Sequence, residues 1–450
     1  MNTQKQNRFA VIGHPIAHTM SPFIHSRLFS LSGKKAQYCV LDLPSPADCL
    51  SELKQLDGFN ITIPHKQTII PYLDALDQTA SFFHSVNTVK QEGGQLTGFN
   101  TDGTGFCKAL EAAGIPLNGH TVILGAGGAA RALAFEAALQ GGTVTVAARE
   151  HSLEAAQRLC CDLEEKIPGV HADARKMDQL RGPIDLLANA TPVGMYPNTG
   201  VSPVPREIIS QASCVFDAVY NPNETAFLKL ARQSGKKAVG GMSMLVWQAA
   251  EAHRIWYGAE FDPEGIAQIC SDAVIEMKRE FGNVILCGFM GSGKTTIGKL
   301  LAQELNREFI DLDQWIEKNE GMTVAEIFER RGEPEFRRLE RQAAETLGQK
   351  SRLVIAAGGG TLTNPSNAAA LRENGIIVFL DASLNAVRAR LQGDKTRPLL
   401  AGPDREEAMK RLYTERTELY RAAADFTIPA DQSPEETAAA VKALFQKEQE

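Results

Sequence analysis

Gly125-Ala126-Gly127-Gly128-Ala129-Ala130-Arg131 and Gly288-Phe289-Met290-Gly291-Ser292-Gly293-Lys294-Thr295 decide the reading of this chain. Each follows an apolar, strand-like run, 121–124 and 284–287, and each opens a helix-like run. Gly125, Gly127 and Ala130 fit G-x-G-x-x-G/A, in which small residues make a tight turn and let a dinucleotide pyrophosphate approach the N-terminus of the next helix. Gly288, Gly293, Lys294 and Thr295 fit G-x-x-x-x-G-K-T. In such a loop backbone amides cradle nucleotide phosphates, the lysine reaches the β and γ oxygens, and the hydroxyl serves magnesium. Two loops of different kinds predict two nucleotide sites and two reactions.

Outward from the first loop, the apolar runs 9–12, 37–41, 58–63, 143–147, 184–189 and 215–218 alternate with helix-like stretches. After the second loop, runs at 309–312, 353–357 and 376–380 continue the alternation, and a charged helix is expected from about Pro434. This pattern predicts α/β architecture with mostly parallel sheets. A chain of 450 residues exceeds the usual single core and implies two or three domains. The composition, 43% hydrophobic and 22% charged, is that of a globular protein. A formal charge of -7 argues against general affinity for nucleic acid, so anionic substrates must be met by locally placed cations. The eight cysteines include no C-x-x-C pair and are read as reduced thiols in a cytoplasmic protein. The start is polar and its apolar run is broken at Gly13-His14-Pro15, so no signal peptide is expected, and nothing approaches the ~18 apolar residues of a membrane span. His14, His18, His25 and His65 lack the spacing of a metal-ligand set, and polar packing is the expected role.

At the end of the strand after the first loop, an acid marks NAD sites by holding the ribose hydroxyls, whereas an arginine accommodates a 2′-phosphate. Here the run ends Ala147-Ala148-Arg149-Glu150. Arg149 favours NADP; Glu150 would oppose the same phosphate and leaves NAD open.

Segments 13–22 (GHPIAHTMSP), 60–66 (NITIPHK), 86–88 (VNT), 100–105 (NTDGTG), 189–195 (NATPVGM), 220–222 (YNP) and 244–248 (MLVWQ) together resemble shikimate dehydrogenases over about residues 8–278. The resemblance implies a two-lobed fold, an α/β substrate lobe and a Rossmann NADP lobe, with Lys66 and Asp102 as the catalytic pair. The chemistry suits them, because hydride reduction of a ring ketone needs a proton donor to the developing alkoxide and a lysine oriented by a carboxylate can serve. By resemblance, Thr19, Ser21 and Tyr220 address the substrate carboxylate and Thr62, Asn87 and Gln248 its ring hydroxyls, while Gly125, Ala126, Gly127, Gly128, Ala129 and Arg149 hold NADP(H). The sequence departs from the family at Thr19, where serine is usual, at Ala148 and Glu150, which flank the arginine in place of Asn and Thr, and at Ser243, where a glycine is usual.

The second loop, Asp311-Leu312-Asp313, Gly332-Glu333 with Phe336-Arg337-Arg338 and Glu340, Gly358-Gly359-Gly360, Arg397-Pro398-Leu399-Leu400 and Arg416 with Leu419-Tyr420 resemble shikimate kinases over about residues 284–430. The resemblance implies a P-loop domain of the nucleoside-monophosphate-kinase kind. Gly291, Ser292, Gly293, Lys294, Thr295, Thr296 and, from a lid, Arg397 would hold ATP. Thr295 and Asp311 would serve Mg2+, Asp313 would orient the attacking hydroxyl, and Arg337, Gly359, Gly360 and Arg416 would hold shikimate. These parts suit phosphoryl transfer, which is mostly positioning and charge stabilisation. Thr361 follows the triple glycine where Ala or Ser is common, a departure expected to matter little.

The product expected of the first half is the substrate expected of the second. The combined reading is a bifunctional enzyme that reduces 3-dehydroshikimate and phosphorylates shikimate, with residues 1–103 (completed by helices of 241–278) as substrate lobe, 104–240 as NADP lobe, 279–283 as linker and 284–450 as kinase domain. Its partners are these small molecules, not nucleic acid or membrane, and the sequence sets no oligomeric state. Two rivals stay open: a first half that oxidises quinate or shikimate with NAD, and a catalytically inactive regulator sensing those ligands. Retention of Lys66, Asp102, Lys294, Thr295, Asp311 and Asp313 speaks against the regulator.

Overall fold

A computed structural model describes residues 7–16, 19–392 and 405–445. They form two compact units, dividing between Val274 and Ile275. The α/β expectation is met in both.

The first unit holds two six-stranded sheets. One contains β1 (Asn7–Gly13), β2 (Ala36–Asp42), β3 (Gly58–Ile61), β4 (Ala75–Leu76), β5 (Thr88–Glu92) and β6 (Gln95–Phe99) in the order β2-β1-β3-β5-β6-β4. It is mixed rather than parallel: β5 runs antiparallel to both β3 and β6. The β5–β6 hairpin turns at Gly93-Gly94, both at positive φ, the backbone that the favoured two-residue hairpin turn requires. The other sheet contains β7 (His120–Leu124), β8 (Thr143–Ala148), β9 (Ala172–Lys176), β10 (Ile184–Asn189), β11 (Ala212–Asp217) and β12 (Lys237–Val239). All its pairings are parallel, in the order β12-β11-β10-β7-β8-β9. Read from the far edge this is the doubly wound 3-2-1-4-5-6 arrangement, whose first strand leads into the phosphate-binding turn. Val122, Ile123 and Leu124 are buried, as expected where helices cover both faces.

The helices Asp102–Ala112 and Gly241–Tyr257 pack closely against each other and carry residues of both lobes' motifs. Gly105 makes the approach close enough: a Cβ there would lie 2.6 Å from the Met244 carbonyl oxygen. In the first unit His25 Nδ1 and His253 Nε2 are 2.9 Å apart, and His253 Nδ1 meets the Tyr257 hydroxyl. Both histidines are buried, and burial pushes His253 down to about 3 and His25 well below its ordinary value, with the neighbouring His253 adding to the latter. A histidine neutral in the fold and ionisable when unfolded stabilises fully above its unfolded pKa of about 6.5 and loses that stability as the pH falls toward the folded value. For His253 this costs about 2 kcal/mol by pH 5. The urea midpoint of the whole chain should therefore drop between pH 7 and pH 5, and more steeply than in His253→Phe; equal slopes would contradict the assignment.

The second unit holds one parallel five-stranded sheet of β13 (Asn283–Cys287), β14 (Glu308–Asp311), β15 (Leu353–Ala356), β16 (Gly375–Asp381) and β17 (Phe426–Pro429), in the order β14-β15-β13-β16-β17. Every residue of β13 is buried, which puts the second glycine loop at the end of the central strand. The stretch read as a linker is not extended: the helix Pro263–Phe281 includes its first residues, and β13 begins at Asn283. Among the described residues, no helix is long and apolar enough to cross a membrane.

Candidate active sites

Lys66 lies in the short helix His65–Thr68 just after β3, and Asp102 is the first residue of its helix, where the helix dipole favours a carboxylate. Lys66 Nζ donates to Asp102 Oδ2, and Asn87 Nδ2 donates to Asp102 Oδ1 at 2.8 Å. Asn87 is itself fixed, accepting from the Thr101 amide at 2.8 Å and donating to Gln248 Oε1 at 3.2 Å. Asp102 is 2% exposed, so its charge is held by these contacts rather than by water.

This pair opens onto a cavity of about 180 Å3 whose lining includes Thr19, Ser21, Thr62, Asn87, Tyr220 and Gln248. All six residues expected to touch substrate thus converge on the Lys66–Asp102 pair. Thr19 Oγ1 and Ser21 Oγ sit 3.1 Å apart, two hydroxyls on one side of the cavity. Ala129 lines the same space, so the helix of the first glycine loop faces the lysine's cavity. Of the four histidines, His14 Nδ1 is 2.7 Å from Asp42, His65 Nε2 is 2.6 Å from the Leu43 carbonyl, His25 lines the cavity while paired with His253, and His18 lies outside the described residues.

Beyond β7, Gly125 takes φ +108 and the helix Gly128–Leu139 begins. A Cβ at Gly125 would crowd Thr191 at 2.9 Å, whereas nothing lies within 4 Å of one at Gly127, leaving open space before the helix N-terminus. Ala126, Gly127 and Gly128 line an adjoining groove. The residues thus fit a dinucleotide phosphate. Arg149 follows the last residue of β8 and is exposed, and among the described residues no carboxylate is within ion-pair distance of it. Glu150 is paired to Lys176.

In the second unit Gly288, Gly291 and Gly293 all have positive φ, curling the loop so that its amides turn inward before the helix Lys294–Glu304. Lys294 Nζ donates to the Gly288 and Phe289 carbonyls at 2.8 and 3.1 Å, bending over the loop it serves. The Ser292 hydroxyl is buried without a partner, an acceptor and donor awaiting a polar group. Thr295 Oγ1 donates to Asp311 Oδ2 at 2.9 Å, two oxygens placed together as a hard divalent cation needs. Loop and pair fit a nucleotide triphosphate with its magnesium; Thr296 follows in the helix, and Arg397 lies outside the described residues.

The triple glycine has a steric reason. A Cβ on Gly358 would strike Asp313 Oδ1 at 2.4 Å, and one on Gly360 would strike Arg337 at 2.5 Å. Gly359 O accepts from Arg416 at 3.0 Å and from the Tyr420 hydroxyl. Asp313, Arg337 and Arg416 therefore gather around one loop, two cations and a carboxylate.

The supporting contacts of two buried acids were not read from the sequence. Glu340, 1% exposed, accepts from Arg337 at 2.6 Å and from the Thr361 hydroxyl at 2.7 Å. Thr361 is therefore not inconsequential: it supplies one of the hydrogen bonds that keep a buried carboxylate, and through it Arg337, in place. Asp217, fully buried and pushed up to about 6 by that burial, accepts from Asn189, Thr225 and the Val219 amide and so shapes the turn that presents Tyr220. Glu340 sits inside a quoted motif and Asp217 near the end of the apolar run before 220–222, but a lone acid in sequence reads as a surface charge.

A family model for the shikimate dehydrogenase substrate binding domain matches residues 11–89, and one for shikimate kinase matches residues 290–446. The chain is 41% identical over 261 residues to the shikimate dehydrogenase (NADP(+)) of Moorella thermoacetica, covering 56% of this chain and 88% of that protein. A crystal structure of shikimate dehydrogenase in complex with NADP+ superposes with a TM-score of 0.56 at 36% identity, covering 61% of this chain and 98% of the other. The Thermus thermophilus enzyme, crystallised with NADP(H) and shikimate, gives 0.54 at 38%, covering 60% and 100%. With a lysine–aspartate pair on a cavity in one unit and a P-loop in the other, the chain belongs to the shikimate dehydrogenase family and carries a shikimate kinase domain after it.

Proposed function

We propose that this protein carries out consecutive steps, reducing 3-dehydroshikimate to shikimate in its first unit and phosphorylating shikimate at the 3-hydroxyl in its second. The observation carrying the proposal is the convergence of Thr19, Ser21, Thr62, Asn87, Tyr220 and Gln248 on the Lys66–Asp102 pair, matched in the other unit by Asp313, Arg337 and Arg416 around the triple glycine. Both substrates carry one carboxylate. The first cavity offers it the hydroxyls of Thr19, Ser21 and Tyr220; the second offers guanidinium forks, which bind carboxylates bidentately.

In the dehydrogenase, Lys66 Nζ delivers a proton to the oxygen that develops negative charge, and Asp102, locked by Asn87, keeps the ammonium aimed. NADPH, held at Gly125–Ala129 and Arg149, supplies the hydride when bound. In the kinase, Asp313 would orient the substrate hydroxyl, Lys294 and the loop amides would steady the phosphates of ATP, and Thr295 and Asp311 would hold Mg2+, whose charge would offset that of the phosphates. In this reading 1–103 with the helices of 241–278 form the substrate lobe, 104–240 the NADP lobe and 284–450 the kinase domain. Eight free cysteines support a reducing, cytoplasmic setting.

The proposal is tested by offering the protein 3-dehydroshikimate with NADPH, and separately quinate with NAD. Faster turnover of the first pair is expected; turnover confined to quinate and NAD would replace the dehydrogenase assignment with the rival one.

A further inference from the structure

Glu150 sits next to Arg149, at the place where a 2′-phosphate would be received, and an unpaired carboxylate there would repel a group carrying about -1.5 to -2 charges at neutral pH. The chain answers this from the neighbouring strand. In the β8–β9 register Ala148 lies opposite Lys176, the last residue of β9, and Lys176 Nζ reaches Glu150 Oε2. Lys176 is half-buried and Glu150 exposed, so the pair adds little to folding. Its consequence is local charge. Glu150, first by hydrogen bonding and then by charge, holds the Lys176 ammonium above its ordinary range, and Asp178 adds slightly to this. The other charges of β9 are engaged with each other, Arg175 with Asp173 at 2.5 Å. Among the described residues Arg149, just after β8, is left as the charge without a paired carboxylate.

We infer that Lys176 is a specificity-determining residue of the dehydrogenase: by pairing with Glu150 it cancels the carboxylate beside Arg149 and so sets the preference for the cofactor bearing a 2′-phosphate. This explains how the chain keeps an acid at a position that otherwise marks NAD sites, and it rests on the proposed cofactor site at Arg149. Lys176 is a positioning residue, acting through Glu150 rather than on the phosphate.

The test is the dissociation constant of NADPH and of NADH, read from the fluorescence of the reduced nicotinamide on titration with the full-length protein. Lys176→Met should weaken NADPH about five- to tenfold and leave NADH nearly unchanged, the size expected of one partly exposed charge. Removing the carboxylate as well, in the double variant Lys176→Met/Glu150→Gln, should restore NADPH affinity. Equal weakening of both cofactors, no change in NADPH, or a double variant as weak as Lys176→Met would overturn the inference. Arg149→Met separates the two levels: it should abolish the NADPH preference, and a retained preference would instead remove the cofactor site from Arg149.

Discussion

Replacing Lys66 with alanine is expected to slow reduction of 3-dehydroshikimate by about 10²–10⁴-fold, the usual contribution of a positioned proton donor. Phosphorylation of added shikimate should be unchanged, because Lys66 and the kinase cluster belong to different compact units. The variant also leaves Asp102, 2% exposed, with Asn87 as a remaining donor, and removing one member of a buried pair costs up to about 3–5 kcal/mol, less here because Lys66 keeps some solvent contact. Lys66→Met keeps more of the packing and separates chemistry from stability. If either variant stays folded by circular dichroism and loses both activities, the sites are not independent.

The second large effect is expected of Asp313→Asn, an isosteric change that keeps the contact with Gly358 and removes the charge. If Asp313 orients the attacking hydroxyl, kcat of the kinase should fall by about 10²–10⁴-fold with a smaller change in KM for shikimate. The position of Oδ1, 2.4 Å from where a Cβ on Gly358 would stand, admits a purely structural role in shaping the loop. Asparagine would satisfy that role, so an unchanged kcat would assign Asp313 to structure alone.

Both nucleotide-type loops were legible because they follow parallel strands that are almost wholly buried. Buried on both faces, β7 and β13 read as unbroken apolar runs, and the glycines that follow have few other uses. The short or polar strands were silent. β9, Ala-Asp-Ala-Arg-Lys, is an edge strand with partly exposed side chains, and β5 and β6 alternate beneath a Gly-Gly turn. The same silence hid Lys176: its partner Glu150 is set by the register of two parallel strands, which no local pattern reveals. Glu340 and Asp217 were passed over because burial, not residue type, makes them important. Thr361 was misjudged for a similar reason, since its hydroxyl matters only once a buried carboxylate stands beside it. Residues fixed by steric necessity, such as the three glycines packed on Asp313, Arg416 and Arg337, were readable as a motif, while the reason for them appears only in three dimensions.

The most direct test of consecutive reactions in one chain is to supply the purified protein with 3-dehydroshikimate, NADPH and MgATP, following NADPH absorbance and identifying the end product by mass. Shikimate 3-phosphate should form only in the complete mixture, and shikimate should accumulate when ATP is withheld. Phosphorylation of added shikimate with no reduction of 3-dehydroshikimate would contradict the account and leave the first unit as a quinate enzyme or a binding domain.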